Sequence, residues 1–158
     1  MSTPPTSWLA NPALTRIWQV LRERLEGRGL RAEGRVVLSG LSREERHAVS
    51  ALVGRPVTRA TLALSLADVD ATLAERSGIG GLQAVLEHLT GHALDDRAAR
   101  RAQRAAGREA PFTLARELVG DAPWTEAWLD GVRRSGVLAR TADPAAAVRR
   151  AVETLARL

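Results

Sequence analysis

Several residue types are missing or scarce in this chain of 158 residues. It has no cysteine, no lysine and no tyrosine, and Phe112 is its one phenylalanine. The lack of cysteine excludes disulfides and thiolate chemistry, and it agrees with a reducing compartment. No apolar run is long enough to cross a bilayer, and the opening residues have neither the basic flank nor the apolar core of a signal peptide. We therefore expect a cytoplasmic protein.

The positive charge of the chain comes from arginine alone. All 23 basic residues are arginines, and they give a net charge of +5. The use of arginine at every basic position is typical of GC-rich codon usage. The choice of arginine over lysine therefore says little about function. The sign of the charge still matters, because a basic protein tends to meet polyanions. The excess is a modest indication of nucleic-acid binding.

Apolar residues recur at helical spacing along most of the chain, between segments rich in glycine, proline and capping residues. About seven helices are predicted, and the second opens on a capping box formed by Ser42 and Glu45. Two of them, Asp95–Ala106 and Leu114–Val119, are predicted as separate pieces divided at Pro111. The predicted apolar faces of the other helices comprise Leu14, Ile17, Trp18, Leu21 and Leu25; Ala48, Val49 and Leu52; Leu66, Val69 and Leu73; Leu82, Val85, Leu86 and Leu89; and Val148, Ala151, Val152 and Leu155.

Two short β-branched segments predict strands that pair with each other. They are Gly34–Gly40 and Val57–Leu64. The predicted fold is therefore mainly α, a compact helical domain with a small two-stranded β element near residues 35–64. Residues 1–158 are expected to form a single domain, with a division into 1–94 and 95–158 as the alternative. The last helix reaches Leu158 without a cap or polar tail, which we interpret as a domain boundary.

The three histidines offer one candidate metal site. His88 and His92, together with the pair Asp95–Asp96, are residue types that bind metals. Gly91 is expected to break the helix between the two histidines, so that they do not share a face. We therefore expect surface histidines and no metal. His47 lies on the polar side of its helix without an obvious partner.

Asp68 and Asp70 resemble the paired aspartates that hold magnesium in several nucleases. Two residues apart on a helix, their side chains point in different directions. Asp68 also has a simpler place at the third helical position after the capping residue Ser65. The chain has no glycine-rich phosphate loop. We therefore expect no enzymatic activity, no catalytic residue and no cofactor.

Two of the four tryptophans lie four residues apart beside an arginine pair. Trp124 and Trp128 fall on one helix face, after Asp121 as a predicted cap. The first interpretation is that both rings are core anchors, since apolar stripes usually face the core. The second is a stacking platform for nucleic-acid bases beside Arg133 and Arg134. Such platforms usually lie on sheets or loops, so we expect the core arrangement.

Among the polar segments, "D-D-R-A-A-R-R-A-Q-R-A-A-G-R" has the clearest helical spacing of charged residues. Arg97, Arg101, Arg104 and Arg108 fall at helical spacing on one face. This face is either a solvated helix surface or a strip that binds the DNA backbone. Binding to the backbone requires positive charge and no geometry for reading bases. A narrow neighbouring face, predicted to pack closely on another helix, is formed by Ala98, Ala102 and Ala105.

Four motifs follow one another in a recognisable order. They are "G-R-V-V-L-S-G-L-S-R-E-E-R-H-A-V-S-A-L-V-G-R-P", "L-A-L-S-L-A-D-V-D-A-T-L", "L-T-G-H-A-L-D-D-R-A-A-R-R-A" and "W-T-E-A-W-L-D-G-V-R-R-S-G-V-L-A-R". In order and spacing, nearly the whole chain resembles the N-terminal domain of the nuclease subunit (JetD-like) of type II Wadjet systems. These are bacterial anti-plasmid defence complexes built on an SMC-like ATPase.

The resemblance implies a non-catalytic arm of a DNA-cleaving subunit. Family members are longer, and their C-terminal half is a Toprim-like, magnesium-dependent domain that this chain lacks. The arm is expected to contact DNA without sequence preference, subunits of the SMC-like complex, the Toprim-like domain of the full-length subunit, or a second copy in a homodimer. No catalytic residue of the family maps onto this chain.

Two other hypotheses remain open from the sequence. The segment Val36–Arg76 faintly resembles a winged helix, which would make the chain a free-standing DNA-binding regulator. A small metal-dependent hydrolase that uses His88 and His92 is the third hypothesis.

Overall fold

The computed structural model describes residues 6–157, and within them seven α-helices and one two-stranded sheet confirm the predicted, mainly α fold class. None of these helices is long and apolar enough to cross a membrane. Residues 1–5 and Leu158, which carry parts of our expectations about the two ends, lie outside the described residues. The elements are α1 Thr15–Arg28, β1 Arg35–Leu38, α2 Arg43–Val53, β2 Leu62–Ser65, α3 Leu66–Arg76, α4 Leu82–Thr90, α5 Arg97–Val119, α6 Thr125–Ser135 and α7 Pro144–Leu155.

The chain divides into two compact units, Met1–Ala99 (unit 1) and Arg100–Leu158 (unit 2). The hydrophobic core of unit 1 draws on α1 to α4 and on both strands. Every apolar face predicted for these helices is present, with Leu89 alone only partly buried. The buried core residues are Leu9, Leu14, Ile17, Trp18, Leu21, Leu25, Val36, Leu38, Leu41, Ala48, Val49, Leu52, Leu64, Leu66, Val69, Leu73, Leu82, Val85, Leu86 and Leu94.

The predicted helix starts of unit 1 are set by side-chain caps. The Asn11 side chain accepts a hydrogen bond from the amide of Ala13 at 3.0 Å and opens a short 3₁₀ turn that leads into α1. Ser42 and Glu45 form the predicted capping box at α2, with reciprocal hydrogen bonds of 3.1 and 2.8 Å. These bonds satisfy backbone N–H groups that the first helical turn leaves without partners.

The sheet is antiparallel and pairs Arg35 with Ser65 and Leu38 with Leu62. Its second strand begins at Leu62, so the predicted start at Val57 is wrong. The amide of Val57 instead donates to the Ser50 hydroxyl at 2.9 Å, which ties this segment to α2 as a loop. A side-chain acceptor therefore takes the place of a strand partner.

Asp70 caps a helix other than its own. Its Oδ1 accepts a hydrogen bond from the amide of Leu82, the first residue of α4, at 2.7 Å. A Cβ atom on Gly81 would collide with the same carboxylate, so glycine is the residue that leaves room for this cap. Asp68 lies at the third position of α3 and donates its amide to the Ser65 hydroxyl, as predicted. The two aspartates therefore serve two different helix starts.

Unit 2 has a much smaller core. Four buried hydrophobic side chains from α5, α6 and α7 form it, with partly buried neighbours around them. An ion pair of 2.8 Å between Arg116 and Glu126 joins α5 to α6, and Asp143 caps α7 through the amide of Ala146 at 3.0 Å. The buried members are Phe112, Ala115, Leu129 and Val148.

The prediction of two helices separated at Pro111 is wrong, because α5 runs through this residue as one helix of 23 residues. Proline has no N–H to donate to the carbonyl of Gly107, and this loss normally breaks a helix. Here Pro111 and Phe112 are buried within unit 2. Tertiary packing offsets the lost hydrogen bond, and packing of this kind generally contributes more to a helix than propensity does.

Candidate nucleic-acid interface

The first turn of α5 is anchored to α1 by Glu26. One carboxylate oxygen of Glu26 accepts hydrogen bonds from the Arg22 guanidinium at 2.9 Å and from the amide of Asp95 at 3.3 Å. The other lies 3.6 Å from the Arg97 guanidinium. The Asp96 carboxylate caps α5 through the amide of Ala99 at 2.8 Å. Residues 95–97 are therefore attached to α1 within unit 1.

The charge of Glu26 is maintained although its side chain is only 10% exposed. Burial alone would raise its pKa. The hydrogen bonds from Arg22 and Asp95 and the charges of Arg22 and Arg97 outweigh burial, and the pKa is lowered. Arg97 thus balances a buried carboxylate, so its charge is less available to a phosphate than the sequence suggested.

The arginines in the first half of α5 form the arginine face, which we define as Arg97, Arg100, Arg101, Arg104 and Arg108. At about 100° per residue these side chains fall within an arc of about 100°, and the face is about 17 Å long. No acidic residue lies between its first and last members. All ten residues from 101 to 110 are exposed. Within residues 6–157, Arg104 and Arg108 have no carboxylate partner.

Arg100 is the member that the sequence analysis missed. It lies three residues after Arg97 and four before Arg104, the two spacings that place side chains on one helix face. The signal was therefore present in the sequence.

The alanine face of α5 does not pack as predicted. Ala102 and Ala105 are exposed and Ala98 is half-buried, so no helix of the described chain covers this face. An alanine side chain offers little apolar area, and its burial contributes correspondingly little stabilisation.

Arg133 and Arg134 have different surroundings. The Arg133 guanidinium lies over the Phe112 ring, 4.5 Å from its centre, and forms ion pairs with Glu109 at 3.1 Å and Asp130 at 3.4 Å. Arg134 is exposed and its Nε donates to the carbonyl of Asp130 at 3.3 Å. Arg133 therefore holds α6 against α5, and Arg134 alone faces solvent.

The expectation that both tryptophans anchor the core is wrong for Trp124, which is 46% exposed. It precedes the first residue of α6 and meets Trp128 edge to face, with ring centres 6.3 Å apart. Trp128 does pack against the unit 2 core. Asp121 is not the cap, because Trp124 occupies the N-cap position of α6 and no side-chain hydrogen bond caps this helix. The three-helix unit is too small to bury both rings.

The three histidines have different surroundings. His92 Nδ1 lies 2.9 Å from the carbonyl of Thr90, and its Nε2 lies 3.1 Å from the Arg22 guanidinium. His88 is exposed on α4 and His47 is exposed on α2. Within residues 6–157 there is no group of three metal-binding side chains.

Residues 32–158, which are 127 of the 158, match the family described as "Protein of unknown function N-terminus (DUF3323)". The chain belongs to this family. Its description names an N-terminal domain and no activity, complex or ligand. No curated protein and no solved structure matches the chain.

The net charge of this DUF3323 domain is concentrated in unit 2. Residues 1–99 contain twelve arginines and eleven acids, a net charge of +1, whereas residues 100–158 contain eleven arginines and seven acids, a net charge of +4. Four of the five members of the arginine face belong to the second group. The face therefore combines high local charge, exposure and helical order.

Proposed function

We propose that this DUF3323 domain is the non-catalytic N-terminal arm of the DNA-cleaving subunit of an SMC-like anti-plasmid defence complex of the type II Wadjet kind. The order of the four sequence motifs supports the proposal, and so does the family's description as an N-terminus. Its partners are then the SMC-like ATPase subunits, the Toprim-like domain of the same subunit, and DNA.

The arginine face is the observation that carries the DNA contact. Its guanidinium groups lie along one side of α5, and the sequence has no acidic residue between Arg97 and Arg108. Contacts to phosphates position a protein on a duplex but read no sequence. The interaction is therefore one with the DNA backbone, which depends strongly on salt and is the same for unrelated duplexes.

Salt dependence of binding tests this contact. In the face variant, Arg100, Arg101 and Arg104 are replaced by Gln, whereas Arg97 is kept because it balances Glu26. Each phosphate contact contributes about −0.9 to the slope of log affinity against log salt, so the slope flattens by up to about 3. The helix is retained because glutamine is a good helix former. Binding to two unrelated duplexes is measured at several salt concentrations.

A matched control carries the same change in charge away from α5. It replaces the exposed Arg59, Arg149 and Arg150 by Gln. The proposal expects a clearly smaller loss of slope in this control. An unchanged slope in the face variant removes the face from DNA contact, and an equal loss in both variants shows that only net charge matters.

The proposal also expects no cleavage by this chain. Incubation with supercoiled plasmid and magnesium or manganese leaves the plasmid intact. Nicking that survives repurification and disappears in Asp68→Asn or His88→Ala would contradict the non-catalytic role.

The winged-helix hypothesis receives less support from the geometry. Ser65 is both the last residue of β2 and the cap of α3, so no wing hairpin follows β2 within residues 34–76.

A further inference from the structure

The end of α5 and the start of α6 are held together by contacts within unit 2. The ion pair of 2.8 Å between Arg116 and Glu126 joins the two helices, and the Thr125 hydroxyl donates to the carbonyl of Gly120 at 3.3 Å. The amide of Gly120 in turn donates to the carbonyl of Arg116 at 2.9 Å. Residues 116–126, which these contacts connect, are called the tryptophan corner below.

Two large apolar side chains of the tryptophan corner face solvent. Leu118 and Trp124 are each 46% exposed. The Trp124 ring meets Trp128 edge to face, and Trp128 packs on the unit 2 core. Trp124 therefore has a defined position, so that a partner that covers it orders little that is not already ordered. Tryptophan is also enriched among the residues that dominate the binding energy of protein interfaces.

The charge of this corner is opposite to the net charge of the chain, which is +5. Between Arg116 and Arg133 the sequence has no basic residue and four acidic ones: Glu117, Asp121, Glu126 and Asp130. The last two have arginine partners. Glu117 and Asp121 are exposed, and neither has an ion-pair partner among residues 6–157. Two uncompensated carboxylates therefore lie beside the exposed apolar side chains.

This combination of charge and apolar area restricts the kind of partner. Nucleic acid fits poorly, because carboxylates repel phosphates even where a tryptophan ring could stack on a base. A second copy of this chain also fits poorly. Its arginine face has only alanine, glutamine and glycine between the arginines, so it has no large apolar side chain to cover Trp124 and Leu118. A protein segment with basic side chains beside a large apolar one matches both properties.

We propose that the tryptophan corner docks a basic, apolar segment of a partner protein. An apolar side chain of that segment lies against Trp124 and Leu118, and its basic side chains meet Glu117 and Asp121. Arg108, the last member of the arginine face, precedes Glu117 by nine residues in α5, which is about 13 Å along the helix axis. The protein contact is therefore separate from the DNA contact proposed above and does not depend on it.

The experiment uses the peptide acetyl-Arg-Leu-Arg-Leu-Arg-amide, titrated into the ¹⁵N-labelled chain and followed by NMR. We expect saturable binding in the millimolar range, with shifts centred on residues 116–126 and on the Trp124 indole. A peptide with serine in place of leucine keeps the charge but loses the apolar contacts, so it should bind at least about fivefold more weakly. A peptide with glutamate in place of arginine should not bind, because like charges face each other.

Variants of the chain test the location. Trp124→Ala should abolish binding of the leucine peptide and still fold, because the ring is half exposed. The double variant Glu117→Gln, Asp121→Asn keeps the apolar area and should weaken this peptide about three- to tenfold. A matched control, Glu75→Gln with Glu153→Gln, removes two exposed acids from other helices. It should change the affinity less than twofold.

DNA binding by the same variants separates this inference from the proposed function. Trp124→Ala and the double variant should bind duplex DNA with an unchanged salt slope, and the face variant should still bind the peptide. The inference is overturned if the leucine peptide does not bind saturably at millimolar concentration, or if the serine peptide binds equally well. It is also overturned if the control pair weakens binding as much as the Glu117 and Asp121 pair. Stronger shifts of Trp124 with a ten-residue oligothymidine would assign the ring to base stacking instead.

Discussion

Unit 1 and unit 2 differ in how they use apolar residues. Within residues 6–157, unit 1 buries twenty hydrophobic residues and unit 2 buries four, while the net charges of the two sequences are +1 and +4. Of the five large hydrophobic residues that are exposed in this described part of the chain, four belong to unit 2: Leu118, Trp124, Val137 and Leu155. Exposed apolar area together with unbalanced charge is typical of surfaces that meet other molecules. Unit 1 therefore holds most of the hydrophobic core, whereas unit 2 holds most of the net positive charge.

The ion pairs follow the same division. In unit 1 the carboxylates of Glu26 and Glu45 are largely shielded and accept backbone amides as well as guanidinium groups. In unit 2 the pair Arg116–Glu126 is exposed, with side-chain exposures of 41% and 65%. Hydrogen bonding to Arg116 lowers the pKa of Glu126, but solvent screens an exposed pair, which contributes little to stability.

The largest expected effect comes from the core of unit 1. Leu21→Ala removes a fully buried side chain of α1 and should destabilise the chain by about 3–5 kcal/mol. Leu129→Ala in unit 2 should cost about 2–3 kcal/mol, because Leu129 already borders a cavity and loses fewer contacts. Denaturant unfolding of both variants measures the difference. A larger effect at Leu129 would reverse the comparison.

Next come the two tryptophans of unit 2. Trp128→Ala should cost about 2–3 kcal/mol because this ring packs on the unit 2 core, whereas Trp124→Ala should cost less than about 1 kcal/mol. Melting temperatures followed by circular dichroism compare the two. If Trp124→Ala folds normally but weakens binding to single-stranded DNA, the stacking interpretation holds for the exposed ring.

The cap that Asp70 provides for α4 is worth about 1–2 kcal/mol, so Asp70→Ala should lower the stability of unit 1 by that amount. Asp68→Ala is the matched control on the same helix, where the carboxylate acts only on the helix dipole and contributes less than about 1 kcal/mol. Equal effects of the two substitutions would show that the hydrogen bond to Leu82 does not matter.

The smallest effect is a dependence of stability on pH. Hydrogen bonds from Arg16 and from the amide of Ser42 lower the pKa of Glu45 from 4.5 to about 2. Its stabilisation is therefore complete above about pH 4.5 and is lost as the pH falls towards 2. Solvent screens the half-exposed Arg16, so the effect on stability is smaller than the pKa shift alone would give. Unfolding of the wild type and of Glu45→Gln is compared from pH 6 to pH 2, and parallel curves would contradict the assignment.

Local patterns in the sequence were enough to predict most of unit 1. Its helix starts are set by short-range hydrogen bonds, as at Ser42 and Ser65, and these depend on residues three positions apart. Its apolar faces follow from helical periodicity alone. The arginine face is predictable for the same reason, since spacing within one helix decides it, although Arg100 was overlooked.

Only the tertiary structure decided the features that depend on distant residues. The helix α5 continues past Pro111 because this residue is buried in unit 2. Val57 lies in a loop because its amide donates to the Ser50 hydroxyl and not to a strand partner. Arg133 is turned onto Phe112, and Trp124 stays exposed because the small three-helix core of unit 2 does not cover it. In each case the conformation depends either on a residue that is five or more positions away or on the packing of a whole unit. Periodicity and capping rules describe neighbours along the chain, whereas long-range packing selects among the arrangements that those rules allow.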